Sequence, residues 1–213
     1  MKKIMINLKD WLNLEDNKKF ADGIKGLSIV VFPALPYLYI YNDINSIELG
    51  VQEISIYNSG AYTGCVSMEH LKDFSISYAI INHRENKVLE DELFLKKMQV
   101  SLDNNVKNVI CFDSENELAR ILNLLRNENY KNLCFAYEPN EEISTGNLIE
   151  QIDKFNEKLK VAYSNDYELL YGGNISSQNI EDFNKNLKVD GFLISRHALS
   201  IDELKTMIYL VNE

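Results

Sequence analysis

Short apolar runs alternate with helix-patterned segments along the whole of this 213-residue chain, and that alternation restricts the fold more than any other feature. Eight runs have strand character: Ile4–Ile6, Ser28–Phe32, Gln52–Ile56, Tyr78–Ile81, Val109–Phe112, Asn132–Glu138, Glu168–Tyr171 and Gly191–Ile194. Helical patterns over Glu15–Phe20, Tyr37–Tyr41, Met68–Asp73, Leu89–Leu102, Glu115–Arg126, Leu148–Leu159, Ser176–Asn184 and Ile201–Val211 follow them in turn. Strict alternation predicts parallel strands joined by right-handed crossovers, an α/β architecture. Eight such units are what a (β/α)8 barrel needs, near the short limit of that fold at 213 residues. An open doubly wound sheet would want a glycine-rich turn after the first strand, and here that turn is Asn7-Leu-Lys9-Asp10-Trp11. No Pro/Gly/Ser-rich linker or charge block divides the chain, so the expectation is one (β/α)8 barrel over residues 1–213.

Composition narrows the function. A net charge of −10 argues against nucleic acid and against anionic membrane surfaces as partners, and an anionic substrate would need a locally positive pocket. Cys65, Cys111 and Cys134 form no CxxC pair and imply no disulfide framework. The apolar start of the chain is broken by Asn7, Lys9 and Asp10, so it does not read as a signal peptide. No stretch approaches the length of a membrane span, and a cytoplasmic protein is expected.

In a barrel the C-terminal strand ends converge on one face, and their polar residues are read together. Asn7 and Lys9 follow the first strand, His83 and Glu85 the fourth, and Glu138 ends the sixth, where Pro139 stops it. Gly172-Gly173-Asn174 follow the seventh strand and Ser195-Arg196 the eighth. Each has an ordinary explanation alone: a solvated lysine, a capping histidine, a strand-end carboxylate, a tight glycine turn. Together, a lysine, a histidine and a carboxylate around one cavity suit proton abstraction beside a polarised carbonyl.

These residues resemble the triosephosphate isomerase family. Asn7-Leu-Lys9 stands where the family has Asn-x-Lys, and Ser59-Gly-Ala-Tyr-Thr-Gly64 matches its third-loop signature. Asn82-His83-Arg84-Glu85 is similar to its Gly-His-Ser-Glu block, while Ala136-Tyr-Glu-Pro139 and Tyr171-Gly-Gly173 are unchanged. The resemblance implies interconversion of glyceraldehyde 3-phosphate and dihydroxyacetone phosphate, a step of glycolysis and gluconeogenesis, with no cofactor and no metal. It implies Glu138 as the proton-shuttling base and His83 as a neutral electrophile facing a helix N-terminus. Lys9 would supply charge to substrate and enediolate, with Asn7 and Glu85 completing the set. It also implies a homodimer through loop 58–65, with Tyr62 and Thr63 reaching the neighbouring subunit, and a lid after Glu138.

The anion end departs from the family. Ser144 replaces the lid glycine, Asn174 the seventh-loop serine, and Ser195-Arg196 the eighth-loop glycine pair, so phosphate would be held by Ser144, Gly172, Gly173, Asn174, Ser195 and Arg196. Glu141 and Glu142 bring carboxylates to that end, unfavourable for a dianion unless they point away or pair with Arg196. Arg84 replaces the serine after the histidine, where a cation approaching Glu138 would weaken it as a base. Two other readings therefore stand beside the first: an isomerase for a different small hydroxy-carbonyl compound, and a barrel that binds a partner without turnover.

Overall fold

The computed structural model describes residues 2–57, 59–126, 130–131, 133–164 and 166–212. Eight parallel strands close into a barrel in the order β1 to β8, with β1 (Lys3–Asn7) sealed against β8 (Gly191–Ile194). Between them lie β2 (Val30–Phe32), β3 (Glu48–Val51), β4 (Ile76–Ile81), β5 (Lys107–Phe112), β6 (Leu133–Tyr137) and β7 (Tyr167–Tyr171). The helices are α1 (Leu14–Gly23), α2 (Leu38–Tyr41), α3 (Met68–Leu71), α4 (Asp91–Asp103), α5 (Glu115–Leu125), α6 (Thr145–Tyr163), α7 (Ile180–Asn186) and α8 (Ile201–Asn212). The closed (β/α)8 barrel is the architecture that the alternation predicts.

Pleating divides the core into two shells. Met5, Val30, Ile80, Cys111, Ala136 and Leu193 belong to the cluster filling the barrel, whereas Ile4, Ile6, Ile110, Phe135 and Leu169 belong to the layer between strands and helices. At the N-terminal end Glu168 accepts from Lys3 at 3.0 Å and pairs with Lys107 at 3.0 Å, which closes that end with compensated charge. Local signals start several helices. The Asn13 side chain caps α1 by accepting from the Asp16 N–H at 3.0 Å, and Ser114 caps α5 by accepting from Glu117.

The third strand differs from its expected place. Gln52–Ile56 is loop, and β3 is Glu48–Val51, immediately before it. Gly50 masks this strand in the sequence because glycine has low strand propensity. In the barrel it is required: a Cβ there would lie 2.3 Å from the Phe32 ring, and the β3–β4 register shifts at that point. Gln52 serves the mouth instead, donating to the carbonyls of Lys9 (2.9 Å) and Phe32 (3.0 Å). Helix α7 also starts later than expected, at Ile180 rather than Ser176. Residue 132, the first of the expected sixth strand, lies outside the described residues.

Candidate functional site

The inward register of the strands carries the site residues into the mouth. On β6 the inward residues Cys134 and Ala136 are followed, two positions on, by Glu138, whose N–H still pairs with the Phe112 carbonyl at 2.9 Å. Asn7 continues from Met5, Gly172 from Leu170 and Ser195 from Leu193 in the same way. His83 gets there differently. Asn82 adopts φ 63°, a left-handed conformation that asparagine tolerates, and is anchored by donating to the Cys111 carbonyl and accepting from the Val88 N–H. The chain turns at that residue and His83 enters the mouth.

Glu138 and His83 are both buried, with His83 Nε2 3.3 Å from Glu138 Oε2. The two are close but not aligned as a hydrogen bond, and Oε2 is buried without a hydrogen-bond partner among the described residues. A carboxylate oxygen left so is costly to stability and available to a ligand. His83 Nδ1 accepts from the Glu85 N–H at 3.2 Å, which puts the ring proton on Nε2 and gives a neutral imidazole with its donor facing the cavity. The expected helix N-terminus facing His83 is not what achieves this. Residues 84–86 form a turn and α4 begins only at Asp91, so one backbone amide of that turn does the work.

Lys9 sits at φ 50° in loop one, its N–H donating to Asn7 Oδ1 at 3.1 Å and its ammonium ion-paired with Glu85. Burial pushes the Glu85 carboxyl up, but Lys9 outweighs it and holds the group below the usual carboxylate range. Beneath the base, burial first and the Glu138 charge second push the Cys111 thiol well up, so it stays neutral. Among the described residues Arg84 makes no ion pair with Glu138, whose close side-chain neighbour is the His83 imidazole.

One cavity of about 530 Å³ opens at this end of the barrel. Asn7, Lys9, His83 and Glu138 line it, together with Gly172, Gly173, Asn174, Ser195 and Arg196. Ser144 does not line it: that residue precedes α6 with an extended backbone, and Thr145 faces the cavity instead. Glu85 also stays off the wall, behind Lys9. Gly172 is there because of the base, since a Cβ at that position would come within 2.8 Å of Glu138 Cγ. Trp11, Asn140 and His197 line the cavity without having been singled out in the sequence, although Trp11 is the sole tryptophan and sits two residues after Lys9. Tyr62 and Thr63 lie away from the cavity in an exposed loop, with Tyr57 and Tyr62 stacked at 4.0 Å; the loop's expected first residue, 58, lies outside the described residues.

A family model described as triosephosphate isomerase matches residues 2–211. The chain belongs to the triosephosphate isomerase family. That family places it among the aldose–ketose isomerases. The triosephosphate isomerase of Buchnera aphidicola subsp. Baizongia pistaciae is 30% identical over 94% of this chain and 90% of its own length. That of Campylobacter jejuni is 30% identical over 87% of each. The crystal structure of triosephosphate isomerase from Bartonella henselae matches with a TM-score of 0.88 at 22% identity, covering 100% of this chain and 99% of that one, a likeness of fold.

Proposed function

We propose that this chain carries out the family's reaction, the interconversion of glyceraldehyde 3-phosphate and dihydroxyacetone phosphate, with Glu138 as base. The observation that carries this reading is the Glu138–His83 pair, 3.3 Å apart at the barrel mouth, with the imidazole held neutral through Nδ1. Glu138 removes a proton from the carbon beside the carbonyl while His83 Nε2–H donates to the carbonyl oxygen. The charge passes to an enediolate, which Lys9 stabilises. The hydroxyl proton moves to the former carbonyl oxygen by way of His83, and Glu138 returns its proton to the neighbouring carbon, so that the former hydroxyl oxygen becomes the new carbonyl. Asn7 and Glu85 hold Lys9 in place, one through its backbone and the other through its ammonium.

The phosphate is assigned to the loops after β7 and β8, where Gly172, Gly173, Asn174, Ser195 and Arg196 line the same cavity. Ser144 contributes there only if loop six moves. A different hydroxy-carbonyl substrate, or binding without turnover, is not favoured: base, electrophile and lysine are intact around one cavity. Among the described residues no helix is long and apolar enough to cross a membrane. We assign the protein to the cytoplasm and to glycolysis and gluconeogenesis, as a homodimer through loop 58–65. Purified protein mixed with glyceraldehyde 3-phosphate is expected to form dihydroxyacetone phosphate. Absence of that conversion, with the protein folded, overturns the reading.

A further inference from the structure

We infer that Trp11 is a positioning residue for the phosphate end of the substrate, holding Arg196 over the mouth of the barrel. The inference rests on the reading that Arg196 faces the phosphate. Trp11 and Arg196 come from the loops after β1 and β8, neighbours across the barrel seam, and both line the cavity. The Arg196 guanidinium carbon lies 5.5 Å from the centroid of the Trp11 ring, within range of a cation–π contact.

Stacking uses the face of a guanidinium and leaves its in-plane N–H groups to meet two phosphate oxygens at once. Glu141, Glu142 and Asp182 line the same cavity, yet among the described residues none of them is ion-paired with Arg196. The indole therefore keeps the cation available where three carboxylates compete for it. It also reduces the rotamer freedom lost when the anion binds. Trp11 is half exposed, so the contact is worth a few-fold in affinity rather than orders of magnitude.

Because the chain has a single tryptophan, its fluorescence reports this one contact. The emission of the whole protein is titrated with 2-phosphoglycolate at constant ionic strength. A saturable change is expected in the wild type, and none in Arg196→Ala. In steady-state kinetics Trp11→Ala is expected to raise KM for glyceraldehyde 3-phosphate about two- to fivefold with kcat within about twofold, and Trp11→Phe to restore it. An unchanged KM in Trp11→Ala, or an undiminished emission response in Arg196→Ala, overturns the inference. Lack of isomerisation by the wild type would sink the functional reading instead, and the titration would still decide the clamp.

Discussion

Glu138 owes its place to a single register. Cys134 and Ala136 alternate along β6 and Glu138 continues that alternation one residue past its end, so the pleat that packs two small side chains inside the barrel delivers the carboxylate to its rim. Shortening that side chain tests how closely the position is set. Glu138→Asp withdraws the base by about one methylene and is expected to lower kcat on the order of 10²-fold while KM stays within a few-fold. Near-parental turnover would remove Glu138 from the mechanism. Gly172 offers a second test from outside the base. A methyl group there would meet Glu138 Cγ at 2.8 Å, so Gly172→Ala is expected to cut kcat at least tenfold (about 1.4 kcal/mol) in a protein whose melting temperature falls little. Equal kcat would show that the carboxylate shifts without loss.

The elements that matter most to the site are the loops, and loop six, between β6 and α6, is tied at two of its residues. The Asn140 side chain donates to Asp113 Oδ2 at 2.8 Å, and Asn174 donates to Glu142 Oε1 at 2.9 Å. The Glu142 carboxylate thus pairs with loop seven, not with Arg196, and leaves negative charge on the wall of a cavity meant for an anion. Glu142→Gln keeps an oxygen for Asn174 and removes the charge, so KM for glyceraldehyde 3-phosphate is expected to fall about two- to threefold. A rise in KM would mean that the carboxylate serves the substrate.

Asp113 joins loops four, five and six, pairing with Lys87 at 2.6 Å as well as Asn140. Burial pushes its carboxyl up, but the Lys87 and Asn140 bonds outweigh it and bring the pKa down to about 2. A depressed carboxyl stabilises the fold above the unfolded value near 4 and loses that contribution as pH falls toward 2. Urea denaturation at pH 5 and at pH 2.5 should therefore show the wild type losing about 1–2 kcal/mol more than Asp113→Asn. Equal losses would separate Asp113 from acid stability.

At the scale of the whole molecule the proposal to test is the homodimer. The loop of Tyr57 and residues 59–65 stands away from the barrel, small-residued and without charge, with Tyr57 and Tyr62 stacked on each other at 42% and 44% exposure. Glu53, ahead of it in the chain, accepts from Asn86 and pairs with Lys97, so that charge is compensated within the chain. If this loop meets a second copy, light scattering at micromolar concentration gives twice the 24.6 kDa chain mass. Tyr62→Asp should then give monomers with impaired turnover, because an aspartate cannot replace an aromatic anchor at the centre of an interface. A wild type that stays at single mass rules the interface out.

The sequence by itself determined the barrel and nearly all of the candidate site. Strand and helix periods are local properties, and eight alternations leave few topologies. Glu138, His83, Lys9 and Asn7 were legible because each ends or follows a strand, and strand ends of a barrel share one face. What the tertiary structure decided are contacts between distant segments. Position 50 of β3 takes a glycine because Phe32 leaves no space for a side chain, which no local propensity records. The neutral face of His83 comes from a turn amide rather than a helix end. Trp11 meets Arg196 only because closure brings β8 back beside β1, joining the two ends of the chain in one wall.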